Sequence, residues 1–517
     1  MRRADGRPFT NIPEGLKKMK YNSTRNNDVK VASAEAIAKG LSPDGGLFVP
    51  EEFPHISEAD IKSMAEMSYK KRAEFILGKY LTDFTPEELH ECVSGAYGAE
   101  KFGGEDTAPL HKLCENAHIL ELWHGPTCAF KDMALQILPH LLTRSAKKAG
   151  IKEDVAILVA TSGDTGKAAL DGFRDVDGTK IIVFFPADGV SRIQKLQMVT
   201  QDGKNVYVSA VHGNFDDAQN GVKRIFTDTE FAAFLKENNI VLSSANSINW
   251  GRLVPQIVYY FSAYADLLKN GEISAGDEIN IVVPTGNFGN ILAAYYAKQM
   301  GLPVKKLICA SNSNNVLTDF IKTGVYDRNR KFMTTISPSM DILISSNLER
   351  FLYDISGRDD ARVKGFMASL KNDGKYDIGA ELLSEMTEIM SAGCCNDADT
   401  CKTIGETFKK YGYTLDTHTA VAVNVYENYV KETGDNTKTV IASTASPYKF
   451  SASVVSAILG EDALSGLDEF GIIDKLFEIS KLPVPDSLAQ LKNKEIRFKE
   501  VCEPMDMKEQ VKSLLGI

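Results

Sequence analysis

No apolar run in this chain approaches the ~18 residues that would suggest a membrane-spanning helix. Cysteine is thinly spread: Cys92, Cys114, Cys128, Cys309, Cys394, Cys395, Cys401 and Cys502 lack the density of a disulfide framework, so reduced thiols are expected. Cys394, Cys395 and Cys401 are close in sequence, but no histidine lies nearby and their spacing fits no zinc pattern, so no metal is expected. Positive charge is in deficit, with 59 Lys and Arg against 69 Asp and Glu for a net charge of −10. That balance argues against general nucleic-acid or anionic-membrane binding. Tandem repeats and long low-complexity stretches are also missing. The opening Met-Arg-Arg-Ala-Asp-Gly-Arg is basic but no hydrophobic core follows, so it is not a secretory signal and a cytoplasmic protein is expected.

At 517 residues the chain exceeds what one hydrophobic core usually holds, so two or three domains are expected. Hydrophobic residues at 43% and charged residues at 25% are ordinary for a globular protein. Residues 1–18 lack clear periodicity and read as an extension or an early start. Residues 57–100 read as amphipathic helices, with Ser57 and Thr85 as caps ahead of acidic first turns. From residue 118 the pattern changes. Val155–Ala160, Ile181–Phe185, Val206–Ala210, Ile279–Val283, Leu307–Ala310 and Thr439–Ser443 are strand-like runs, each followed by a helix-length segment. This alternation predicts α/β architecture with largely parallel sheets, where ligands sit beyond the carboxyl ends of the strands. Residues 356–376 read as a polar surface excursion, and the final fifty as a mixed, partly helical tail.

The loops after these strands carry the chemistry. In Glu121-Leu-Trp-His-Gly-Pro-Thr-Cys-Ala-Phe-Lys-Asp132 a short apolar run leads through a Gly-Pro turn into a helical rhythm. Met133, Ile137, Leu138, Leu141 and Leu142 form its buried stripe, with Pro139 a kink and Gly150 a stop. Lys131 therefore stands at a helix start. Most such lysines are solvated; one desolvated beside a helix dipole has a lowered pKa and can attack an aldehyde. Thr161-Ser-Gly-Asp-Thr-Gly-Lys167 is nearly a nucleotide P-loop, but Thr161 replaces the required glycine and Ala168 the required hydroxyl residue. It can still offer N–H groups and hydroxyls to an anion. Pro284-Thr-Gly-Asn-Phe-Gly-Asn290 likewise lets backbone amides converge on a phosphate. Arg252, at the start of an apolar helix, either clamps a phosphate or pairs with a carboxylate. Lys449 is a phosphate contact or a solvated helix-start lysine. His418 on its own reads as a hydrogen-bonded structural histidine.

Taken together these segments resemble threonine synthases, pyridoxal-phosphate enzymes of fold type II. Glu121–Asp132 is similar to the family's E-L-(aromatic)-H-G-P-T-x-A-F-K-D, Gly40–Pro50 to G-L-x-P-D-G-G-L-(Y/F)-V-P, and Asn246–Arg252 to N-S-I-N-x-x-R. Met19–Arg25 looks like the family's usual start, and Asp416–Ala420 resembles D-P-H-T-A with Thr417 in place of proline. The resemblance implies a tryptophan-synthase-β-like fold: a mainly helical region over 1–110, a small α/β domain over 130–245, and a large α/β domain over 111–129 and 246–517. It implies pyridoxal 5'-phosphate held as a Schiff base on Lys131, with its phosphate on Gly286, Asn287, Phe288, Gly289 and Asn290. Thr444 would meet the ring nitrogen and Asp164 would face the ring oxygen. Because a carboxylate stands there instead of asparagine, Asp164 must share a proton or meet a cation. Ser162, Gly163 and Thr165 would hold the substrate carboxylate, with Arg252 and Lys449 toward its phosphate. Ser446 and Tyr448 depart from the family's frequent A-H-P-A-K-F. The implied reaction turns O-phospho-L-homoserine and water into L-threonine and phosphate by γ-elimination and β-addition, in a monomer or homodimer. The alternatives are a related phospho-lyase ending at 2-oxobutanoate and a catalytically silent cofactor-binding protein.

Overall fold

Near-continuous runs of Val, Ile and Leu suit strands that are buried on both faces. They set the frame of the computed structural model, which describes residues 18–161, 163–188 and 190–517. The extension expected at the start of the chain and the donor expected at Ser162 lie outside the described residues. The larger sheet has the strand order Met390–Cys394, Val304–Ser311, Ile279–Pro284, Thr439–Ser443, Ala117–Glu121 and Leu110–Lys112. Its neighbours are parallel except for the last pair. The smaller sheet, all parallel, runs Val501–Cys502, Val206–Val211, Thr179–Pro186, Asp154–Ala160 and Ile240–Ser243. All six strand-like runs are strands. Leu110–Lys112, Ile240–Ser243, Met390–Cys394 and Val501–Cys502 were not legible, being short and at sheet edges.

Helices Glu58–Met64, Tyr69–Tyr80, Pro86–Ala96 and Ala99–Phe102 occupy residues 57–100. Ser57 and Thr85 head two of them in reciprocal capping boxes with Asp60 and Glu88. A small antiparallel sheet of Tyr21–Ser23, Asn26–Val31 and Phe48–Pro50 precedes these helices. Residues 356–376 are more ordered than their polarity suggests. They hold helix Asp360–Asn372 and strand Lys375–Asp377, which pairs with Val325–Asp327. Val363 is that helix's buried residue, too little to mark an apolar period.

The helix Trp250–Lys269 is buried almost all round, from Trp250 to Leu267. It packs against Tyr69–Tyr80, Gly289–Gln299 and Asp132–Leu135, so one apolar rod joins the N-terminal helices to two of the post-strand loops. The stripe of Met133, Ile137, Leu138, Leu141 and Leu142 is fully buried. Pro139 does more than kink it: the segment breaks into Asp132–Leu135 and Leu138–Lys148, with Pro139 in the first turn of the second helix. The sequence places the whole tail with the larger unit. Its last strand, Val501–Cys502, instead pairs with Val206–Val211, and helix Met507–Leu515 packs on Phe215–Thr227 beside it.

Helix Asp164–Phe173 crosses Asp132–Leu135 so closely that a Cβ on Gly172 would run into the Leu135 carbonyl oxygen. A backbone atom cannot step aside as a side chain can. Gly172→Ala is therefore expected to lower the unfolding free energy by about 1–3 kcal/mol, seen as a lower denaturant midpoint at constant slope. An unchanged midpoint would mean that the two helices part freely.

Candidate active site

Lys131 follows strand Ala117–Glu121, and the turn between them is tied to the neighbouring strand's exit. Leu122 N–H donates to Ser443 O at 3.0 Å and Phe130 N–H to Thr444 O at 2.9 Å. Asp132 holds the turn shut, its carboxylate accepting the Thr127 N–H at 2.8 Å and hydroxyl at 2.7 Å. Burial pushes this carboxyl up to about 7 in spite of both donors. The Lys131 side chain is 13% exposed. Burial lowers the pKa of its amine, Asp164 opposes that shift, and Lys449 and Arg252 reinforce it. The helix behind Lys131 has only one turn, so desolvation rather than a macrodipole activates the amine.

Asp164 stands at the exit of strand Asp154–Ala160, at the head of helix Asp164–Phe173. Thr161 Oγ1 shapes the loop by accepting the Gly163 and Gly166 N–H groups, each at 3.0 Å. The cation that a carboxylate needs at this position is Lys449, whose Nζ lies 2.6 Å from Asp164 Oδ1 and donates to Thr127 O at 2.9 Å. Both side chains are buried. Burial alone would raise the Asp164 carboxyl, but Lys449 and Lys131 more than offset it and hold the group well below the usual carboxylate range. Lys449 is thus an ion-pair partner here and not a free cation.

Lys131, Thr165, Arg252, Thr444 and the loop from Gly286 to Asn290 line one cavity. Helix Gly289–Gln299 opens into it at Phe288, whose φ of 62° is left-handed, and no side chain among the described residues caps it. Its first N–H groups need an acceptor from elsewhere, which an anion supplies. Asn287 O accepts the Asn347 N–H at 3.1 Å and Nδ2 at 3.2 Å, fixing the loop. Asn290 Oδ1 accepts the Tyr259 and Tyr260 hydroxyls. Arg252 is buried, and burial lowers its pKa to about 10. It donates to Ala245 O at 2.8 Å, its Nε has no partner, and among the described residues it forms no ion pair. A buried unpaired donor on a cation is costly unless an anion meets it.

Sequence reading missed Ser339, Gln256 and Asn347. Ser339 lines the cavity from the short 3₁₀ turn Pro338–Met340, with Oγ 3.4 Å from Lys131 Nζ. Its segment follows no strand–loop–helix pattern, and nothing local to Ser-Pro-Ser marks it. His418 lines the cavity too. Its Nε2 accepts the Ser339 N–H at 3.1 Å, so Nδ1 carries the proton toward Asp416 Oδ2, 2.9 Å away.

Comparisons with known proteins identify the chain's family. The family model described as threonine synthase N terminus matches residues 20–97, pyridoxal-phosphate dependent enzyme 107–376, and threonine synthase C-terminal 419–514. Human threonine synthase-like 1 is 43% identical over 435 residues, covering 82% of this chain and 58% of that protein. The chain thus spans little more than half the length of that relative. Threonine synthase from Methylobacillus glycogenes is 38% identical over 451 residues, covering 85% of this chain and 92% of that protein. The crystal structure of PLP-bound threonine synthase from Brucella melitensis superposes with a TM-score of 0.85 at 36% identity, covering 96% of this chain and 99% of that one. By these matches the chain belongs to the threonine synthase family of pyridoxal-phosphate-dependent enzymes.

Proposed function

We propose that this protein converts O-phospho-L-homoserine and water to L-threonine and phosphate. One observation carries the reading: a single cavity joins a largely desolvated lysine to two separate groups that need an anion, the uncapped start of Gly289–Gln299 and the unpaired Arg252. A phosphorylated cofactor and a phosphorylated substrate supply one anion each. The donors fit pyridoxal phosphate, with N–H groups from Gly286 to Asn290 for its phosphate, the Thr444 hydroxyl for its ring nitrogen and the Lys131 amine for its aldehyde. When bound, the cofactor supplies an electron sink next to the substrate's α carbon.

The chain's own groups then divide the remaining work. Lys131 takes up and returns the protons removed from the substrate carbons, a role that suits an amine whose burial favours its neutral form. Asp164 holds the ring-oxygen side, and Lys449 neutralises it, so the carboxylate needs no shared proton. Arg252 binds the leaving phosphate, and its unpaired Nε is the donor that a bidentate contact uses. Ser162, Gly163 and Thr165 hold the substrate carboxylate. The two sheets act as separate units, 130–245 against 111–129 and 246–517, with the strand and helix after residue 500 travelling with the smaller. A monomer or homodimer suffices, since these groups come from one chain. A cytoplasmic location belongs to the same reading; among the described residues no helix is long and apolar enough to cross a membrane.

Purified protein loaded with pyridoxal phosphate should release threonine and phosphate from O-phospho-L-homoserine in equal amounts. Release of 2-oxobutanoate with phosphate would instead identify a phospho-lyase using the same residues. Lys131→Ala should abolish turnover, and near-normal activity would sink the assignment. Arg252→Met should raise KM for the phosphorylated substrate roughly 10- to 150-fold, the loss of hydrogen bonds to a charged group; an unchanged KM would remove Arg252 from the phosphate site. Lys449→Met leaves the buried Asp164 without its close cation and should cost about 3 kcal/mol of stability, the low end for a broken buried pair because Lys131 stays 3.8 Å away. Adding Asp164→Asn should restore much of that loss, and a double variant no more stable than the single would show that the pair is not coupled.

A further inference from the structure

Three groups meet where Ser339 enters the cavity. Lys131 Nζ and Asp164 Oδ2 stand 3.8 Å apart, near enough for attraction and too far for a good direct hydrogen bond. Ser339 Oγ lies beside both, 3.4 Å from the amine and 3.5 Å from the carboxylate. A hydroxyl has one proton and two lone pairs, so it can accept an N–H from Lys131 while donating its own hydrogen to Asp164. One N–H of the amine is then directed to the hydroxyl and not to the carboxylate.

The position of Ser339 is fixed independently of Lys131. Its N–H is held by His418, which is held in turn by Asp416, and Asp416 also accepts the Thr419 N–H at 3.1 Å. Both flanks of the turn are anchored by Asn312, whose Nδ2 donates to Ser337 O at 3.3 Å and to Asp341 Oδ1 at 2.7 Å. On the other side, the Ser339 carbonyl oxygen presses on the loop, where a Cβ on Gly286 would come within 2.7 Å of it.

Resting on the reading that Lys131 carries the chemistry, we propose that Ser339 is a catalytic residue whose hydroxyl keeps the Lys131 amine from closing onto Asp164, leaving it free to exchange protons with substrate. His418 and Asp416 are its positioning residues. A lysine paired directly with a buried carboxylate would keep its proton, whereas one held at a hydroxyl's length can give it up. No bond other than N–H and O–H hydrogen bonds changes, so the step needs no further reactant.

The test reads Lys131 directly, without turnover. The full chain, stripped of cofactor, is labelled across a pH series with trace acetic anhydride, and the Lys131 peptide is quantified by mass spectrometry, with Lys131→Ala as the blank. The charged groups facing the amine are Asp164, Lys449, Arg252 and Asp132, all retained in the first variants. Ser339→Ala should move the labelling midpoint up by about one unit, or about tenfold less labelling at a fixed lower pH, while Ser339→Thr keeps the wild-type midpoint. Adding Asp164→Asn to Ser339→Ala should erase the shift. If Ser339→Ala does not fold by circular dichroism, His418→Ala, which releases the same turn, should shift the midpoint in the same direction. An unchanged or lowered midpoint in whichever variant folds, or a Thr variant that behaves like Ala, overturns the proposal. Threonine synthesis that persists in Lys131→Ala would overturn the underlying reading instead, so the two failures are distinguishable.

Discussion

Asp164 and Lys449 form an ion pair at 2.6 Å that the rest of the site is arranged around. Asp164 comes from the exit of the smaller sheet and Lys449 from the exit of the larger, so the pair joins the two units where their strands end. Both groups are out of water, and neither is tolerable there without the other. Their mutual neutralisation leaves Arg252, among the described residues, as a cavity cation without an ion pair and gives Lys131 a carboxylate neighbour it does not fully engage. One pair thus sets the electrostatics of two others.

The mechanical counterpart is helix Trp250–Lys269. Because it is apolar on nearly every face, it has to be enclosed, and what encloses it includes the helices that carry Lys131's turn and the anion loop. Tyr259 and Tyr260 reach from this rod to Asn290, and Gln256 Nε2 returns to Arg252 O at 2.7 Å. Burial of this helix therefore also determines where the anion-seeking groups stand.

An acidic chain that handles phosphates needs its positive charge concentrated where the ligand binds. Here Lys131 and Arg252 line the cavity, with Lys449 paired to Asp164 beside it, while the overall charge is −10. Local burial sharpens their effect, since desolvated charges interact more strongly than exposed ones.

Much of this was written in the chain. Strands, caps at Ser57 and Thr85, and the loops carrying Lys131, Asp164 and Gly286–Asn290 were legible because each depends on neighbours a few residues away: a period of two or 3.6, a hydroxyl three residues ahead of an acid, a glycine where the backbone must turn. Even the need for a shared proton or a cation beside Asp164 followed from the residue type. Which cation it is did not, because Lys449 lies 285 positions further along and reaches Asp164 only once the exits of the two sheets meet. Ser339 was hidden for the same reason, meeting Lys131 across 208 positions with no local signal of its own. The return of Val501–Cys502 to the smaller sheet depends on an open strand edge, which two residues of sequence cannot announce. Sequence alone determined the local elements and the chemical character of each loop; the tertiary structure decided which charges pair, because pairing depends on distances through space that the order of residues does not encode.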